Sequence, residues 1–93
     1  NKMIKELNLT HIDNENHGYI KLSSYDLESF EIDIKQFSQY SYYNFENGCY
    51  YFEEDCDGTK LLNILKDKDY KINLKFLFVD NEYFENDAFA YIN

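Results

Sequence analysis

The sequence predicts an α+β domain: an antiparallel sheet of about five or six strands with one α-helix packed on a face. Three observations lead there. The chain carries 10 Tyr and 8 Phe but no Trp, and aromatic residues favour strands. Several segments alternate apolar and polar side chains, the period of a half-buried strand. Only the stretch after Asp57 has an apolar pattern of helical period. At 93 residues the chain is expected to form one domain, residues 1–93.

Along the chain, Met3, Lys5, Leu7 and Leu9 alternate with Ile4, Glu6, Asn8 and Thr10. This reads as a strand over roughly residues 3–12, with a short helix as the alternative. Asp13 to Gly18 is polar and turn-rich. Tyr19 to Leu22 is a second strand, broken at Ser23-Ser24. Phe30, Ile32 and Ile34 alternate with Glu31, Asp33 and Lys35, which predicts a third strand, with a bulge or turn near Ser38. Asn47-Gly48 then separates two aromatic runs, 40–45 and 49–52. Asn-Gly is the preferred pair for a two-residue type I′ turn. That turn would set Phe45 opposite Tyr50 and Tyr43 opposite Phe52.

Asp57 is the expected N-cap of the helix, with Glu54 and Asp55 at the positive end of its dipole. Leu61, Leu62, Ile64 and Leu65 cover about 160° of the helical wheel, one broad apolar face. Tyr70, Ile72, Leu74, Phe76 and Phe78 form the longest alternation. Leu77 and Val79 make its far end apolar on both sides, so it reads as a central strand. Asp80-Asn81 turns the chain, and a last strand covers Ala88 to Ile92.

The type I′ register sorts the hairpin into two faces. Tyr43, Phe45, Tyr50 and Phe52 make a core face. Tyr40, Tyr42, Asn44, Tyr51, Glu53 and Asp55 make a face that is half aromatic and half acidic. Tyrosine is enriched at interface hot spots, and carboxylates beside it steer a basic partner. A second acidic cluster, Asp80, Glu82, Glu85 and Asp87, surrounds Tyr83 and Phe84. The expected partner-binding residues are Tyr40, Tyr42, Tyr51, Glu53, Glu54, Asp55, Glu82 and Glu85. The alternative is that the tyrosines pack under a loop or against a further sheet.

Charge narrows the partner. Asp and Glu number 18 against 9 lysines, a formal net charge of -9. Such a chain repels nucleic acid and anionic lipid and attracts a basic protein. No apolar run approaches the ~18 residues of a membrane helix. Met3 reads as a natural start, and no basic-then-apolar leader is seen, so the cytoplasm is the expected compartment.

Chemistry is thin. Glu53-x-Asp55-x-Asp57-Gly58 looks like the start of a calcium loop, but Ile64 stands where the bidentate Glu belongs. If 49–56 is a strand, Cys49 and Cys56 stand about 23 Å apart, too far for a disulfide. Two Cys and two His lack zinc-site spacing. His11 and His17 are the only near-neutral bases, and no nucleophile motif accompanies them. No catalytic residue, metal ligand or cofactor is assigned.

An acidic, tyrosine-rich chain whose basic residues are all lysine uses many A/T-rich codons, which points to a bacterial or phage gene. The aromatic hairpin from Tyr42 leads through Asp57 into a Leu-rich helix ending near Leu65. In this character the chain resembles immunity proteins of contact-dependent inhibition and polymorphic toxin systems. The resemblance implies a stoichiometric inhibitor that occludes the basic cleft of a cognate toxin, a nuclease being the expected kind. A nucleic-acid mimic that inhibits restriction or CRISPR enzymes is the alternative.

Overall fold

A computed structural model describes residues 5–92; Met3 and Ile4 of the first expected strand lie outside them. The fold is α+β, with a six-stranded sheet that is mostly antiparallel. The strands are β1 (Lys5–Asp13), β2 (Gly18–Ser23), β3 (Tyr42–Asn44), β4 (Cys49–Glu53), β5 (Tyr70–Phe78) and β6 (Phe89–Tyr91). Their order is β5-β1-β2-β4-β3-β6. The expected all-antiparallel sheet needs one correction: β5 runs parallel to β1, from Lys5 opposite Tyr70 to Asp13 opposite Phe78.

The main helix, α2 (Thr59–Asp67), follows a π-helical turn over Glu54–Gly58. Leu61 and Leu65 are fully buried, and Leu62 and Ile64 flank them, as the wheel requires. They close over Leu9, Ile20, Leu22 and Phe52 to form the principal core. The opposite sheet face is also covered. There Ile12, Tyr19 and Tyr51 are buried beneath Phe84, with Tyr42, Tyr83 and Phe89 packed around them. Phe84 is the hub: its ring lies 4.4 Å from Tyr19, stacks on Tyr42 at 4.8 Å and meets Phe89 at 4.9 Å. Such contacts add about 0.5–1.5 kcal/mol each beyond area burial.

Four local expectations are corrected. Phe30, Ile32 and Ile34 do not form a strand. The Ser23 hydroxyl accepts from Asp26 N at 3.0 Å and caps a short helix, α1 (Ser24–Ser29). Glu31 takes a positive φ of 59°, and Asp33 caps a 3-10 turn over Ile34–Gln36. Three alternating apolar residues are too short a run to outweigh these caps.

The hairpin loop is four residues, not two. The Asn44 side chain accepts from Glu46 N at 2.8 Å and Asn47 N at 3.0 Å, and only Gly48 takes a positive φ. Tyr43 therefore faces Tyr50 and Tyr42 faces Tyr51. The slip is two residues, so the paired side chains keep their faces, but Phe45, expected on the core face, lies in the loop and is exposed.

β5 is an edge strand rather than a central one. Tyr70 and Ile72 pack on the α2 side, but Phe76 and Phe78 remain 55% and 77% exposed. Apolar alternation does not reveal whether a second neighbour strand exists.

Asp57 is not a helix cap. It is buried, and its carboxylate accepts from Ser38 N at 2.8 and 2.9 Å, from Ser38 Oγ at 2.7 Å and from Ser41 Oγ. Ser41 Oγ in turn accepts from Glu53 N at 3.0 Å. One carboxylate thus joins the start of the helical segment to the strand entering the hairpin. Asp57→Ala leaves buried donors unsatisfied and should cost about 2–3 kcal/mol. Urea unfolding should show a lower midpoint with an unchanged slope.

Candidate functional site

The β1–β2 loop, the π-helical turn and the chain after β5 meet at one end of the sheet. Between them lies a hollow of about 730 Å³ lined by Asp13, Glu15, Asn16, His17, Gly18, Glu54, Asp55, Phe78, Val79 and Asp80. A second hollow of about 420 Å³ is lined by His17, Tyr19, Tyr40, Tyr42, Glu53, Asp55, Cys56 and Tyr91. His17 and Asp55 line both, so the two form one groove. Among the described residues its walls carry six carboxylates and four tyrosines and no lysine.

The local chain explains the placement. Asp57 points inward to Ser38 and Ser41, which leaves Glu54 and Asp55 of the same turn facing outward. Glu53 ends β4, and its side chain accepts from Asp55 N at 3.3 Å. Tyr40 N donates to Ser38 Oγ at 3.1 Å, so the Asp57 network also sets the Tyr40 wall. Across the groove, Asn14 Oδ1 accepts from His17 N at 2.8 Å and shapes the β1–β2 loop.

Five of the eight expected partner residues, Tyr40, Tyr42, Glu53, Glu54 and Asp55, line this groove. Tyr51 is corrected: it is fully buried under Phe84 and Phe89, its hydroxyl accepting from Asn47 Nδ2 at 2.9 Å. Tyr42 lines the groove but is half-buried, stacked against Tyr91 at 4.6 Å and Phe84 at 4.8 Å. Packing under a loop, the alternative for the hairpin tyrosines, holds for these two. Glu82 and Glu85 are exposed but do not line the groove. Sequence reasoning missed Asp13, Glu15 and Asp80, which stand far from the hairpin along the chain. All three sit in polar turns at strand ends, and Asp80 had a further signal as part of the second acidic cluster.

Beside Gly18 the buried His11 lies between two carboxylates. His11 Nε2 lies 3.1 Å from Glu54 Oε1, and Nδ1 lies 3.2 Å from Asp13 Oδ1. Gly18 has no side chain to spare here; a Cβ would collide with the His11 ring and the Glu54 carboxylate. His17 stays exposed in the loop.

Cys49 and Cys56 are unbonded, at the start of β4 and just past its end. No helix among the described residues is long and apolar enough to cross a membrane. No family model, curated protein or solved structure matches this chain.

Tyr19 and Tyr42 of the groove hold their protons tightly. Burial, then the Glu53 charge, raises the pKa of Tyr19 above the ordinary 10.0. Burial, then the hydrogen bond to Tyr91 at 3.1 Å, raises Tyr42 further. Tyr50 and Tyr83 are raised by burial too. At neutral pH these phenols are donors and apolar area, not bases. Because the folded values lie above the unfolded ones, the stability they contribute is full below pH 10.0 and is lost as pH climbs through the raised values. An alkaline titration followed by tyrosinate absorbance should release these phenols late and together with loss of tertiary structure.

Proposed function

We propose that this protein is a stoichiometric inhibitor that seats a basic protein surface in its acid-and-tyrosine groove. The reading that fits the resemblance is an immunity protein that neutralises a cognate bacterial toxin, a nuclease whose cleft carries phosphate-holding lysines and arginines. It would act in the cytoplasm without cofactor or catalysis. The observation that carries the proposal is the groove wall: six carboxylates and four tyrosines with no lysine among them.

The physics divides the labour. Six carboxylates at one end of a chain of net charge -9 focus a negative potential that raises the encounter rate with a cationic partner. Exposed Glu54 and Asp55 are solvated before binding, so on their own they contribute specificity and speed more than affinity. Affinity needs apolar area, and Tyr40 on one rim and Phe78 on the other supply it, both largely exposed. The open edge of β5 runs into the groove at Phe78. A strand of the partner laid along that edge would add main-chain hydrogen bonds. Occlusion then follows from placement: a cleft that accepts this end of the sheet has no room for a phosphodiester.

The test uses the toxin domain that co-purifies with the protein in equal amount. Glu53→Lys with Asp55→Lys should slow its association about tenfold or more at low salt and flatten the salt dependence. Inhibition should weaken in parallel. Glu82→Lys with Glu85→Lys changes charge equally but lies outside the groove, and should alter the rate far less. Equal effects of the two pairs would show that net charge alone attracts the partner.

A further inference from the structure

We propose that His11, Asp13 and Glu54 form a binding site for a divalent transition-metal cation of the zinc type. Each residue offers one donor atom, and the three atoms lie within 4.8 Å of one another. The placement follows from the sheet. His11 and Asp13 are two apart on β1 and so share a face. Asp13 pairs with Gly18, and Glu54 directly follows Glu53, the partner of Tyr19 on the same strand as Gly18. The His11 ring therefore lies over Gly18, between the two carboxylates.

His11 points to a ligand independently of the acids. It is 3% exposed, and its Nδ1 has no hydrogen-bond partner among the described residues. Asp13 Oδ1 is only 3.2 Å away but off the line that an N–H···O bond needs. Nε2 is engaged with Glu54 Oε1 at 3.1 Å. If Nε2–H donates there, Nδ1 presents a bare lone pair beside a carboxylate oxygen. Two electron-rich atoms in that relation repel unless a cation sits between them. Donors bound at 2.0–2.2 Å to one tetrahedral zinc stand about 3.3 Å apart, close to the Nδ1···Oδ1 separation.

The surroundings match a metal site. Glu54 on Nε2 sets the tautomer that leaves Nδ1 bare, as in a carboxylate–histidine–metal relay; to serve as the third donor its exposed carboxylate has to leave Nε2 and turn in. Phe76 packs on the imidazole with ring centroids 4.8 Å apart and shields it. Asp13 and Glu54 both line the larger hollow, so the remaining coordination positions face the groove. One nitrogen and two carboxylate donors suit zinc better than the all-oxygen preference of calcium or magnesium.

The test is independent of any partner. Metal-free protein is titrated with zinc chloride by calorimetry, while the histidine side-chain nitrogens are followed by NMR. Saturable one-to-one binding that moves His11 Nδ1 is expected. Asp13→Asn should weaken it by tenfold or more, and Glu54→Gln by about 10–100-fold. His17→Gln, which alters the exposed histidine, should leave it unchanged. The same titration with magnesium should leave Nδ1 unmoved. If Asp13→Asn fails to fold, the wild-type Nδ1 resonance decides alone. Absence of saturable binding, or binding lost with His17→Gln and kept with Asp13→Asn, overturns the site.

Discussion

A single buried carboxylate organises this fold. Asp57 gathers Ser38 and Ser41 onto its oxygens, and Ser41 passes the tie to Glu53 N. Ser41 O also accepts from Ile92 N at 3.0 Å, bringing the chain after β6 into the same junction. Charge-assisted bonds of this kind are the strong ones, and a buried carboxylate without them would be costly. The network has a directional consequence. With Asp57 turned inward, the π-helical turn must present Glu54 and Asp55 outward, and Ser38 must hold Tyr40 beside them. The groove is the outer surface of an inner polar junction.

The second constraint is that the central strands of the sheet are covered on both faces. One side is closed by α2 and the other by Phe84 with its aromatic neighbours. Few surfaces are then left to carry function: the open edges and the ends. The end that carries the groove concentrates acid where a neutral arrangement would be more stable, since like charges held together oppose folding. The edge strand β5 keeps Leu74, Phe76, Leu77 and Phe78 exposed, although Lys71 and Lys75 of the same strand blunt the edge. Both features run against stability and solubility, and they meet at Phe78.

Much of this was legible in the sequence, for identifiable reasons. The helix over Leu61–Leu65 and the strands holding Leu7–Leu9, Tyr19–Leu22 and Tyr70–Phe78 follow from local periodicity, whereas the alternation at Phe30, Ile32 and Ile34 was overridden by the Ser23 and Asp33 caps. The faces of Tyr42, Tyr43, Tyr50, Tyr51 and Phe52 were read correctly even though the turn was not, because the register shifted by two residues and parity survived; Phe45, expected in the core, went into the four-residue loop and is exposed. What failed depends on long-range placement. Tyr51 read as surface because nothing in the hairpin reveals that Phe84 will cover it. Asp57 read as a cap because its serine partners lie 16 and 19 residues away. The groove draws on residues from 13 to 91, and the His11–Glu54 contact spans 43 residues. Composition suggested an acidic binding surface; only the fold decides which acids share it.

The central claim, that this groove is where a cationic surface docks, is most directly tested by backbone amide NMR during titration with an oligolysine peptide at low salt. The account predicts shifts confined to residues 13–19, 40–42, 53–56, 78–81 and 91, fading as salt rises. Shifts centred on Glu46, Asn86 and Asp87 at the far end of the sheet, or spread evenly over every exposed carboxylate, would contradict it.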